Sequence, residues 1–184
     1  MIIRMNQKIL LIVNPKSGKG QSLQILHKYM KYFTNEKYNM LVTNYHNHVK
    51  NYFDLIEPII HTFTIIIIIG GDGTIFQVIN KLINLNKNNI PISQIPCGSG
   101  NGFYKSISYE NNIEYSIESA VTQINLFLEN SKNLQNMNLM KIVDTKENAL
   151  VYSFLSLSWG LISDVDIDTE WMRRIGELRF TLGT

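Results

Sequence analysis

The stretch IIIIIGGDGT, residues 65–74, decides the fold. Its isoleucines follow one another with no polar alternation, the pattern of a β-branched strand covered on both faces within a parallel sheet. Two glycines then break the strand. After them Ile75, Val78, Ile79, Leu82 and Ile83 recur at helical spacing, so strand, tight loop and helix follow one another directly. Upstream the same grammar appears. Residues 9–13 form a second unalternating apolar run, ending in the loop NPKSGKG (residues 14–20), and residues 22–33 carry Leu23, Leu26, Tyr29, Met30 and Phe33 at helical spacing. Residues 40–43 read as a short strand, and residues 49–60 as a helix whose apolar face holds Val49, Tyr52, Phe53, Ile56, Ile59 and Ile60. Downstream, residues 92–95 are a short strand leading into PCGSGNG (residues 96–102) and a further helix.

Four strand–helix repeats predict right-handed crossovers and an α/β fold with a doubly wound, mostly parallel sheet. From about residue 137 the texture changes. Residues 139–143 and 150–158 read as strands without a helix between them, the start of an antiparallel β domain. The expected division is a nucleotide-binding α/β domain over residues 1–136 and an incomplete β domain over residues 137–184.

Composition narrows the class. The 184 residues are 45% hydrophobic and 17% charged, typical of a chain that buries a core. A net charge of +2 without a clustered basic face argues against a nucleic-acid partner. A single cysteine, Cys97, excludes an intrachain disulfide framework and fits a reducing, cytoplasmic setting. No apolar run approaches the roughly 18–20 residues that span a bilayer. His27, His46, His48 and His61 form no metal-ligand set by spacing, and no metal ligand is assigned.

In open α/β sheets, ligands bind beyond the carboxyl ends of the strands, so the three glycine loops should converge on one crevice. Glycine admits close backbone approach, and a helix N-terminus behind each loop supplies N–H groups and a favourable dipole. Together they suggest a polyphosphate site, although either NPKSGKG or GSGN alone could be a tight turn and helix cap. Asp72, a carboxylate between glycines at this mouth, implies metal binding or proton acceptance, or an N-cap for its own helix.

NPKSGKG, GGDGT and IPCGSGNGF together resemble the catalytic domain of the diacylglycerol kinase and sphingosine kinase superfamily, whose fold is related to NAD kinases and phosphofructokinases. Residues 156–184, with WGLISDVD and RRIGELRFTLGT, resemble the segment that opens the lipid-binding domain of sphingosine kinases. That resemblance implies an ATP- and magnesium-dependent kinase of a sphingoid base, with diacylglycerol kinase, ceramide kinase and NAD kinase as runners-up. It also implies peripheral membrane contact for access to the lipid. Asp72 matches the general base. Asn14, Lys16, Thr43, Gly70, Gly71, Gly98 and Ser99 match the ATP-lining positions, and Arg173 and Arg179 match arginines that reach the phosphates. Asp166 and Ser156 match headgroup contacts, with Asp164 beside them. Phe154, Trp159 and Leu161 are expected in the core of the second domain.

Gln77 departs from the family, which usually has glutamate there and so a better magnesium ligand. The family's β-sandwich would follow residue 184, so this chain alone is expected not to catalyse. The competing reading from another class is a catalytically defective nucleotide-binding or scaffolding module.

Overall fold

The computed structural model describes residues 8–32, 37–130, 134–146 and 149–156. The elements run β1 (Lys8–Val13), α1 (Ser22–Tyr29), β2 (Lys37–Val42), α2 (His48–Ile56), β3 (Ile65–Gly70), α3 (Asp72–Asn84), β4 (Ile92–Pro96), α4 (Gly102–Glu110), α5 (Ile117–Asn130), β5 (Met140–Asp144) and β6 (Ala149–Ser153). The first four strands make one parallel sheet, as the sequence pattern predicts, and the structure gives their order as β2-β1-β3-β4.

The unalternating strands are buried on both faces. Leu10, Ile12, Ile66 and Ile68 point into one core with Val49, Phe53, Ile75, Val78, Ile79 and Leu82 of α2 and α3. Ile9, Leu11, Val13, Ile65, Ile67 and Ile69 point into the other, with Tyr29 of α1 and Val121, Ile124 and Phe127 of α5. Period-two geometry sends alternate residues to opposite sides, so only an all-apolar strand fills both layers.

Several boundaries differ from expectation. The α-helical part of residues 49–60 stops at Ile56 and continues as a 3₁₀ segment, Glu57–Thr62, because Pro58 has no N–H to extend the α ladder. Ile59 is thereby turned outward, 41% exposed. Likewise α1 ends at Tyr29 with one 3₁₀ turn, Met30–Tyr32, and Leu23 faces solvent. Residue 33 lies outside the described residues. One helix was not foreseen. After β4 the chain makes α4 and then α5, whose Ala120, Val121, Ile124, Phe127 and Leu128 do carry helical spacing.

The antiparallel pair is present as β5 and β6. It is docked on α3: the Asn80 Nδ2 donates to the Tyr152 carbonyl at 2.8 Å, and the Tyr152 N–H donates back to Asn80 Oδ1 at 2.8 Å. An asparagine amide thus imitates a neighbouring strand. Beyond β6, the Phe154 ring meets Phe103 of α4 edge-on at 5.6 Å, so this residue packs on the α/β core.

Candidate functional site

The sheet order sets the location of the site. From β1 the chain moves outward to β2, then returns to the other side of β1 for β3, so the loops after β1 and β3 diverge to helices on opposite faces. A crevice opens at such a switch point. Thr43 closes one side of it, its N–H donating to the Val13 carbonyl at 2.8 Å.

The loops touch one another through glycine. A Cβ on Gly98 would fall 2.5 Å from the Gly71 Cα, and one on Gly18, at φ +51°, would fall 2.4 Å from the Cys97 carbonyl oxygen. These two positions exclude any side chain, since neither obstacle can rotate away. Only backbone-to-backbone contact brings all three loops into one wall. By contrast, a Cβ on Gly73 would meet nothing within 4 Å.

Side chains stitch the wall together. The Asn14 Nδ2 donates to Thr74 Oγ1 at 3.0 Å, while its Oδ1 accepts from the Lys16 N–H at 3.0 Å. The Gly71 N–H donates to Ser17 Oγ at 3.1 Å, and the Ser22 hydroxyl donates to the Asn14 carbonyl at 2.6 Å. Ser22 Oγ also lies 3.2 Å from Cys97 Sγ. Burial pushes the Cys97 thiol above its ordinary pKa, with the Ser22 contact opposing in part.

Asp72 is the one carboxylate on the three loops. It opens α3, yet its side chain does not cap that helix. Its Oδ2 accepts from the Gly102 N–H at 2.9 Å and its Oδ1 from the Phe103 N–H at 3.0 Å, so it caps α4 from across the crevice. The next amide of α4, Tyr104 N–H, donates to Gln94 Oε1 at 3.1 Å. This corrects the expectation that each helix N-terminus offers its amides to phosphate. The first three N–H groups of α4 are already taken. Among the described residues no acceptor meets the Asp72 or Gly73 N–H, so the α3 N-terminus retains open donors.

The structure therefore brings Asn14, Lys16, Thr43, Gly70, Gly71, Asp72, Gly98 and Ser99 to the carboxyl edge of the sheet. Lys16 is exposed there, while the Asn14 side chain is committed to its neighbours. Ser156 is exposed, and its carbonyl accepts from the Ser153 hydroxyl at 3.1 Å. Its neighbour Leu155 sits 3.0 Å from where a Gly102 Cβ would be, which puts the end of this segment beside Asp72. Asp164, Asp166, Arg173, Arg179, Trp159 and Leu161 lie outside the described residues.

Residues 8–129 match the model of the diacylglycerol kinase catalytic domain. The chain belongs to this family. Among similar proteins, human sphingosine kinase 1 is 31% identical over 188 residues, covering 96% of this chain and 47% of that protein. Sphingoid long chain base kinase 5 of Saccharomyces cerevisiae is 32% identical over 192 residues, covering 98% of this chain and 26% of that protein. The chain thus spans about half or less of the curated relatives it matches. A solved diacylglycerol kinase from Bacillus anthracis superposes with a TM-score of 0.51 at 28% identity, over 65% of this chain and 42% of that one. Another structure from the same organism reaches 0.56 at 26% identity, over 72% and 45%.

Within this diacylglycerol kinase catalytic domain, sequence reasoning missed Ser17, Thr74, Gln94 and Asn101, all buried and polar. The signal was available for Gln94, a lone amide inside an apolar strand that runs into a glycine loop. Asn101, at φ +53°, receives the Gly98 N–H on Oδ1 at 2.7 Å and donates to the Gly98 carbonyl at 2.9 Å, locking the GSGN turn upon itself. A φ in this region suits asparagine better than most residues.

Proposed function

We propose that this chain is the nucleotide-binding part of an ATP-dependent lipid kinase acting on the primary hydroxyl of sphingosine or a related sphingoid base. The observation that carries the reading is the convergence of three glycine loops around one carboxylate, Asp72, in a chain whose relatives include sphingosine kinases. Phosphate groups of ATP would meet the open amides of α3 and the Lys16 ammonium, while Thr43, Gly70, Gly71, Gly98 and Ser99 shape the surrounding wall. Asp72, held by two N–H donors, keeps further lone pairs on each oxygen. It would accept the hydroxyl proton as the lipid oxygen bonds to the γ-phosphorus and the bond to the β–γ bridging oxygen breaks. Arg173 and Arg179 are proposed for the phosphates, and Asp166 and Ser156 for the lipid headgroup. The enzyme would work in the cytoplasm against a membrane surface that presents its substrate.

Magnesium fits this donor set in one form. Among the described residues no cluster of three or more His, Cys, Asp or Glu could cage a metal, but Mg²⁺ commonly binds through one or two carboxylates plus substrate phosphates. With Asp72 reserved for the proton, the ATP phosphates and water would hold most of the ion's coordination sphere, and the ion would neutralise charge on the transferring phosphoryl group.

The deciding experiment is a radiolabelled ATP assay with the full-length protein on sphingosine, ceramide and diacylglycerol. Transfer to sphingosine at least about tenfold faster than to the others supports the reading, and preference for diacylglycerol would move the assignment to the function named for the solved structures. Absence of transfer to any lipid, with ATP still bound, would favour a nucleotide-binding scaffold.

A further inference from the structure

We propose that Gln94 is the positioning residue that aims the Asp72 carboxylate; the proposal rests on the reading of Asp72 as proton acceptor. Gln94 is fully buried on β4, in register with Ile68 of β3. Its Nε2 donates to the Gly70 carbonyl at 2.9 Å and reaches Asn101 Oδ1 at 3.4 Å, while its Oε1 accepts from the Tyr104 N–H at 3.1 Å. Gly70 precedes Asp72 by two residues, and Tyr104 follows Phe103, one of the two donors that hold Asp72. One planar amide therefore sets the separation between the end of β3, from which Asp72 departs, and the first turn of α4, onto which its carboxylate is bound.

The orientation of that amide is dictated by its partners. Gly70 offers only a carbonyl and Tyr104 only an N–H, so nitrogen and oxygen cannot be exchanged. At zero exposure the two backbone groups find no substitute in solvent. Replacing Gln94 with methionine, of similar length, leaves the Tyr104 N–H unpaired inside the protein and the Gly70 carbonyl with only the longer bond from the Cys97 N–H, at 3.4 Å. The first turn of α4 then relaxes away from β3, and Asp72 follows its donors. A misplacement of about 1 Å at a reacting group can cost about 10²-fold in rate.

The test combines hydrogen exchange with kinetics. In Gln94→Met, the Gly102 and Phe103 amides should exchange at least about tenfold faster than in the wild type, while the Leu11 and Ile12 amides in β1 keep their protection. In the full-length protein kcat should fall about 10- to 100-fold with KM for ATP changed less than about threefold, because the Gly18–Cys97 and Gly71–Gly98 backbone contacts that join the loops do not involve Gln94. Gln94→Asn keeps the amide but is one methylene too short to span Gly70 and Tyr104, and should fall between wild type and Gln94→Met in both measurements. Unchanged exchange at Gly102 and Phe103, or unchanged kcat, overturns the proposal. If Gln94→Met also exposes the β1 amides, Gln94→Asn decides alone, and wild-type behaviour of that variant overturns it. A wild-type protein without kinase activity on any lipid refutes the proposed function, whereas the exchange result still decides whether Gln94 holds Asp72.

Discussion

Replacing Asp72 by asparagine swaps one carboxylate oxygen for an NH₂ group, and whichever oxygen is lost faces a backbone N–H, of Gly102 or of Phe103. The substitution therefore removes a proton acceptor and unpairs one cap amide together. We expect kcat to fall about 10²- to 10⁴-fold and stability to fall by about 1 kcal/mol, a Tm loss of about 2–4 °C. Steady-state kinetics and a thermal melt on the same preparation check both parts; an unchanged Tm would mean that the cap contributes nothing. Glycines divide into two kinds by the same reasoning. Gly98→Ala forces a Cβ to within 2.5 Å of the Gly71 backbone and should destabilise the fold, which makes it a poor probe of ligand contact. Gly73→Ala has free space and sits in the first turn of α3, so the Tm should hold or rise. Any loss of Mg-ADP binding by calorimetry in that variant reports directly on how closely a phosphate approaches. For Cys97 the raised pKa leaves less thiolate at pH 8 than a free thiol has, so alkylation by iodoacetamide should be slower than in the unfolded chain. Equal rates would contradict that environment.

The elements that could be read from the sequence are those whose cause is local. The runs 9–13 and 65–69 announce doubly covered strands because burial on both faces removes every polar alternation. The glycine loops announce themselves by composition. By contrast, the Asp72 cap joins residues 30 and 31 positions apart, and nothing around Asp72 marks α4 as the helix it serves. The same holds for Gln94, whose partners Gly70 and Tyr104 lie on different elements, and for Asn80, whose pairing with Tyr152 spans 72 positions. Helix α5 is legible too, since its apolar spacing is regular. The Asn80 pairing yields its own prediction. Asn80→Ala should leave the four-stranded sheet intact while the β5–β6 hairpin loses both ties to α3. Amide exchange in residues 150–153 should quicken by about tenfold or more, with β1 and β3 unchanged. Uniform protection across the hairpin would show that Phe154 and Leu139 alone hold it.

At the scale of the whole molecule, two apolar layers share one sheet, and the centre of the sheet carries the heaviest packing. Ile67→Ala, at a fully buried position, should cost about 2–5 kcal/mol, while Leu55→Ala, 77% exposed, should stay within about 0.5 kcal/mol by urea denaturation. Comparable losses at both sites would contradict this placement of the core. The strand order has a further consequence for biosynthesis. β1 is the first of these strands to leave the ribosome, yet it lies between β2 and β3, and its pairing with β3 joins residues such as Ile9 and Ile65, 56 positions apart. During translation at about 5–20 residues per second, an uncovered strand that is apolar from Ile9 to Val13 waits several seconds for the neighbour that completes its pairing. A nascent chain arrested in that interval presents a sticky segment, and it is there that a chaperone would have the most to shield.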